Sequence, residues 1–79
     1  MKKIHILGTG CPKCKKLTEN AEEAVRESSG EYEVIKVTEI NKIMEYGVMM
    51  TPSLVLEGEV KSTGRLLTVD EIKELLKNN

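Results

Sequence analysis

Two cysteines, Cys11 and Cys14, stand two residues apart in the stretch Gly8-Thr9-Gly10-Cys11-Pro12-Lys13-Cys14-Lys15-Lys16. A thiol pair at this spacing can exchange with a disulfide, ligate a metal, or act as a structural staple. The staple is weak on energetic grounds, because the chain-entropy model gives so short a loop only roughly 2 kcal/mol. A closed zinc site needs four ligands, and beyond the cysteines the chain offers only His5 and carboxylates. No resident metal is therefore read from one chain. Thiolates do select Cu(I), so a two-coordinate soft-metal site stays open.

The spacing suits the start of a helix. With Cys11 as N-cap, Pro12 falls at the first helical position, where its missing N–H costs nothing and its φ is already helical. Cys14 then lies one turn on and shares a face with the cap, within reach of the Cα separation of about 4.4–6.8 Å that a disulfide requires. A thiolate at Cys11 faces unpaired backbone N–H groups and the positive end of the helix dipole, with Lys13, Lys15 and Lys16 close by. Such settings lower a cysteine pKa from about 8.5 into a range of roughly 3.5–7.5. Cys11 is thus expected to be the nucleophile, and Cys14, on the apolar stripe of the helix, to be partly buried.

The frame around the pair is small. Its 79 residues read as one domain, 1–79, whose core yields a stability margin on the order of 3–5 kcal/mol. A formal net charge of −1, with two tyrosines and neither phenylalanine nor tryptophan, offers nucleic acid neither a field nor stacking surfaces. The longest apolar runs, such as Val48-Met49-Met50, fall far short of the roughly 18 residues of a membrane span. Met1-Lys2-Lys3 resembles a charged leader start, but Gly8, Gly10 and Pro12 interrupt any apolar stretch behind it. The cytoplasm is the default, and under its reducing conditions a CxxC pair is more often redox-active than structural.

Periodicity then lays out the elements. Residues 3–7 form a β-branched run that stops at the Gly8-Thr9-Gly10 turn. Cys14, Leu17, Ala21, Ala24 and Ser28 recur at helical spacing, with Val25 beside them, so a helix is expected over 12–28 with Gly30 as its stop. Residues 31–37 alternate as a second strand, with Tyr32, Val34 and Lys36 on one face and Ile35 and Val37 on the other. Thr38 is expected to cap a short helix that turns Ile40, Ile43 and Met44 inward and ends at Gly47, with Val48 packing back on it. Thr51-Pro52 forces Thr51 out of the α region, and a strand follows over 53–57. Gly58-Glu59 is the expected hairpin loop, returning through 60–63. Thr68 and Glu71 make a capping box and Leu67 and Ile72 an expected staple for a last helix, which ends in Lys77-Asn78-Asn79 and has Ile72, Leu75 and Leu76 on one apolar face. The order is β-α-β-α-β-β-α, an α/β chain whose first two strands pair in parallel.

A CxxC at the start of the first helix, Thr-Pro entering a later strand, a hairpin and a terminal helix together resemble the thioredoxin and glutaredoxin superfamily over essentially the whole chain. The likeness is strongest to its small archaeal and bacterial members, whose first strand ends in Gly-Thr-Gly-Cys-x-x-Cys. It implies a thioredoxin-like fold with a central four-stranded mixed sheet flanked by three helices. It implies a monomeric thiol-disulfide oxidoreductase in which Cys11 attacks and Cys14 resolves, with no cofactor beyond that redox-active pair. It further implies a cis Pro52 beside the thiols and Thr51 offering backbone groups to a bound substrate chain. With Pro12 and Lys13 between the cysteines, these are the candidate substrate-binding residues. Protein disulfides are the implied substrates, and a thioredoxin-reductase-like donor is the implied electron source.

The chain also departs from its relatives' patterns. Gly10 stands where thioredoxins carry an aromatic, and Pro12-Lys13 replaces their Gly-Pro. Thr63-Gly64-Arg65 replaces the Gly-Gly-x-Asp of glutaredoxins, which argues against glutathione recognition. His5, six before Cys11, falls where the resemblance puts an acidic proton acceptor; a lone histidine on a short strand otherwise reads as packing. The rival reading is a soft-metal carrier of ferredoxin-like order, β-α-β-β-α-β, which needs a hairpin near 38–47 where this pattern gives a capped helix.

Overall fold

The computed structural model describes residues 2–28 and 30–77. Its elements are β1 (Lys2–Leu7), α1 (Pro12–Glu27), β2 (Tyr32–Val37), α2 (Ile40–Glu45), β3 (Ser53–Leu56), β4 (Glu59–Thr63) and α3 (Val69–Lys77). They form one sheet in the order β2-β1-β3-β4. β1 and β2 are parallel, while β3 runs antiparallel to both β1 and β4. This is the order and the mixed sheet expected from the sequence. A helix stands at Ile40–Glu45 where the carrier order needs a hairpin, so the fold removes the ferredoxin-like alternative.

Alternation along the strands makes two cores. Successive side chains of a strand point to opposite faces. Ile4 and Ile6 of β1 and Leu54 and Leu56 of β3 pack with Leu17, Ala21 and Ala24 of α1 and with Leu67, Ile72 and Leu76 around α3. On the other face Leu7 and Val55 meet Ile43 of α2. Being central and covered on both sides, β3 is buried at every position. Asn20 Nδ2 donates to the carbonyl of Leu67 at 2.8 Å and so ties α1 to the approach to α3. The capping box forms as expected: Thr68 N donates to Glu71 Oε1 at 2.9 Å, and Glu71 N to Thr68 Oγ1 at 3.1 Å.

β1 begins one residue earlier and β2 one residue later than expected, and four further boundaries differ. α1 ends at Glu27, because Ser28 turns extended and its N–H closes on the carbonyl of Val25; Gly30 instead makes room for the Tyr32 ring. α2 is capped by Glu39 rather than Thr38, without a side-chain cap bond. With only six residues it buries just Ile43, leaving Ile40 62% and Met44 66% exposed. The hairpin loop is Glu57-Gly58, with φ of 51° and 83°, since a two-residue turn of the favoured hand needs positive φ at both positions. β3 therefore stops at Leu56 and Glu59 opens β4. The end of the last helix beyond Lys77, expected at Asn78 and Asn79, lies outside the described residues.

Candidate active site

The thiol pair sits at the sheet end where β1 hands over to α1. The β1–β2 ladder continues one residue past the strand, with Gly8 N donating to the carbonyl of Val37 at 3.0 Å. Gly10 then adopts φ of 97°, a left-handed conformation that suits glycine. That turn delivers Cys11 to the N-cap, with φ −65° and ψ 164°, and Pro12 to the first turn of the helix. Cys11 Sγ accepts the N–H of Cys14 at 3.3 Å, replacing the usual oxygen cap.

The two thiols have unequal surroundings. Cys11 is partly exposed, whereas Cys14 is buried on the α1 stripe. Cys14 lies against the end of β1: a Cβ on Gly8 would stand 2.3 Å from its Sγ, so only glycine fits there. Thr18 Oγ1 donates to the carbonyl of Cys14 at 3.0 Å and satisfies the buried hydroxyl within the helix.

Hydrogen bonds hold the Cys11 thiol below its ordinary pKa. The Cys14 thiol contributes most and the Cys14 backbone N–H next; partial burial opposes them, and the N–H groups of Lys13 and Cys11 add smaller shares. Burial pushes Cys14 up, and its hydrogen bond to Cys11 pushes the same way. The expected direction for Cys11 is therefore found, with the expected backbone N–H groups among its causes and the Cys14 thiol ahead of them. Lys13 contributes through its backbone N–H, while charges on exposed side chains are screened by water and salt.

Strand register brings Thr51 and Pro52 to the same end of the sheet as this pair. Ser53 pairs with Leu7, so the two residues preceding Ser53 stand alongside the Gly8–Cys11 turn. The Thr51-Pro52 bond is cis, Pro52 is buried and Thr51 is exposed. The buried Ser53 Oγ donates to the carbonyl of Met50 at 2.6 Å, and Gly64 N donates to that of Pro52 at 2.8 Å. Met50 lies over Gly64, where a Cβ would meet its Cε at 2.9 Å. Pro12 and Lys13 are both exposed on the first turn of α1.

His5 is not brought to the thiols. Ile4, Ile6 and Gly8 face α1, so alternation turns His5 to the opposite face. There its ring lies 6.0 Å from that of Tyr46, in a groove shared with Ile35, Val37 and Lys42. It reads as packing, as a lone histidine on a strand does. Gly8, Thr18, Ser53 and Gly64 were missed as site residues by sequence reasoning. A glycine required by a neighbour's bulk carries no periodic signal, and Gly8 and Gly64 look like ordinary turn residues in sequence.

Over residues 2–77 the chain matches the family model described as Thioredoxin domain. A thioredoxin of Methanothermobacter thermautotrophicus is 43% identical over 76 residues, covering 96% of this chain and 99% of that protein. A thioredoxin of Methanocaldococcus jannaschii is 43% identical over 75 residues, covering 95% of this chain and 86% of that protein. Likeness of this extent, on the sheet order described above, shows that the chain is a thiol-disulfide oxidoreductase and belongs to the thioredoxin domain family.

Proposed function

We propose that this oxidoreductase acts on protein disulfides, with Cys11 as nucleophile and Cys14 as resolving thiol. One observation carries the assignment. Cys11 is the partly exposed cap whose sulfur accepts the Cys14 N–H, while Cys14 is buried behind it. The Cys11 thiolate attacks one sulfur of the substrate disulfide; a mixed disulfide forms, and the other substrate sulfur leaves as a thiolate that takes a proton. Cys14 then loses its proton and attacks Cys11 Sγ, the second substrate sulfur departs, and the Cys11–Cys14 disulfide closes. Two electrons and two protons pass from the protein dithiol to the substrate.

In this reading Thr51 and Pro52, with Pro12 and Lys13, form the surface against which the substrate chain lies. Their support is the shared rim position and, for Thr51, Pro12 and Lys13, their exposure. The chain works as a single-domain monomer in the cytoplasm, reduced by a thioredoxin-reductase-like donor and needing no cofactor beyond the thiol pair. No helix among the described residues is long and apolar enough to cross a membrane.

Trapping tests the roles. Cys14→Ser, incubated with a disulfide substrate and quenched with a thiol-blocking reagent, should accumulate a mixed disulfide on Cys11, visible by non-reducing electrophoresis and mass spectrometry. Cys11→Ser should trap little. An adduct on Cys14 of the Cys11→Ser variant, with Cys14→Ser free, would reverse the roles.

A further inference from the structure

The rim that carries the thiols differs in character from a chain whose formal charge is −1. Leu7 pairs with both Val37 and Ser53, and Ser53 with Thr63. One end of every strand therefore reaches the same rim, where three segments converge: residues 8–16, 49–52 and 64–66. None of the three contains an aspartate or glutamate. The carboxylates nearest this end come from outside the three segments: Glu39 at the cap of α2, and Glu19 and Glu22, which line the cleft beside Cys14 together with Lys15 and Lys36.

Apart from Gly10 and the neutral Thr9 and Thr51, what these segments expose is apolar or cationic. Met49 is 97% exposed, Met50 61% and Leu66 40%. Lys13, Lys15 and Lys16 are exposed on the first two turns of α1, directly behind Cys11. Among the described residues Lys13 and Lys15 have no carboxylate partner, and Lys16 has only Glu19 at 4.0 Å. Arg65 shares its charge with Glu71 at 3.0 Å.

Positive charge at a helix N-terminus opposes the macrodipole, so the lysines do not stabilise α1, and hydrogen bonds are the largest influences on the Cys11 thiol. Lys13 and Lys16, one turn apart, share a helix face, and both are exposed within five residues of Cys11.

Building on the exchange reading above, we infer that this rim selects its partners. Its preferred substrates are protein disulfides flanked by carboxylate-bearing and apolar residues, with the carboxylates facing Lys13 and Lys16 and the apolar side chains resting on Met49, Met50 and Leu66. Complementary charge of this kind acts mainly on the rate of encounter and on the choice of partner.

The test uses the reduced full chain and three peptide disulfides that differ only in their flanking residues, which are acidic, neutral or basic. Single-turnover reduction at low ionic strength should be fastest for the acidic peptide and slowest for the basic one, with an acidic-to-basic ratio of about tenfold. Added salt should erase the ratio. In the double variant Lys13→Glu/Lys16→Glu the ratio should invert. A mere change in Cys11 ionisation would slow all three peptides alike, so the ratio isolates docking. Equal rates for the three peptides at low salt, or a ratio that the double variant leaves in place, overturns the preference while the exchange reading stands. Failure to reduce any of the peptides overturns both.

Discussion

At Cys11 the largest influence is a neighbour's proton. The Cys14 thiol donates toward the Cys11 sulfur and favours its charged form, so removing that donor must raise the Cys11 pKa. In Cys14→Ala the pH midpoint of Cys11 alkylation should therefore move upward from the wild-type value, yet stay below that of an ordinary thiol because the backbone N–H donors persist. Rates of iodoacetamide labelling across pH measure it, and an unmoved midpoint would show that the backbone alone sets the value. Gly8 works by bulk instead. Gly8→Ala would place a Cβ 2.3 Å from Cys14 Sγ, and such overpacking costs about 1–3 kcal/mol. Urea unfolding should register that loss, and release of product from the mixed disulfide should slow as Cys14 is pushed off line. Cys11 at the cap, Pro12 behind it and Cys14 on the stripe were legible in sequence, since each follows from local helix chemistry. The need for Gly8 and the face taken by His5 were not, because they depend on which groups the tertiary fold brings within a few ångströms; the Cys14 thiol's share in the Cys11 shift is local, but the lysines beside it drew the reading instead.

α3 shows how a local signal survives folding intact. Thr68 and Glu71 satisfy each other's backbone N–H groups, and Leu67 and Ile72 staple the entry as the sequence implied. Thr68→Ala should cost about 1 kcal/mol, read as a lower urea midpoint with an unchanged slope. The Thr68 N–H also holds the Glu71 carboxyl below the usual carboxylate range. A carboxyl whose folded pKa is depressed contributes stability that is fully present above its unfolded value of about 4.3 and is lost as pH falls through the lower folded value. The wild-type advantage over Glu71→Gln should accordingly shrink in that acidic window, as urea midpoints measured across pH would show. The hairpin and α2 were read less well. Glu57 at φ 51° is a residue that turn statistics pass over in favour of the glycine after it. An inward face was assigned to Ile40, Ile43 and Met44 of α2, whereas of its six residues only Ile43 is buried.

For the molecule as a whole, stability rests mostly on the face that α1 and α3 cover. A domain of this size has a margin on the order of 3–5 kcal/mol, and truncating a fully buried aliphatic costs about 2–5 kcal/mol. Ile72 is 0% exposed in the larger core, so Ile72→Ala should leave the chain largely unfolded at room temperature, as far-ultraviolet circular dichroism would report. The element order and the parallel start of the sheet were readable because crossover helices and apolar periods constrain topology. The division into two cores became visible only with the strand register. That division has an optical consequence. The chain has no tryptophan, and its two tyrosines fall one to a side. Tyr32 packs against the larger core, its hydroxyl donating to the carbonyl of Leu76 at 3.2 Å. Tyr46 packs against the smaller core beside His5. Intrinsic emission is thus a two-channel signal built into the protein. Tyr46→Phe leaves a reporter of α3 docking, and Tyr32→Phe leaves one of the α2 side, so the melting of each layer can be followed without attaching a dye.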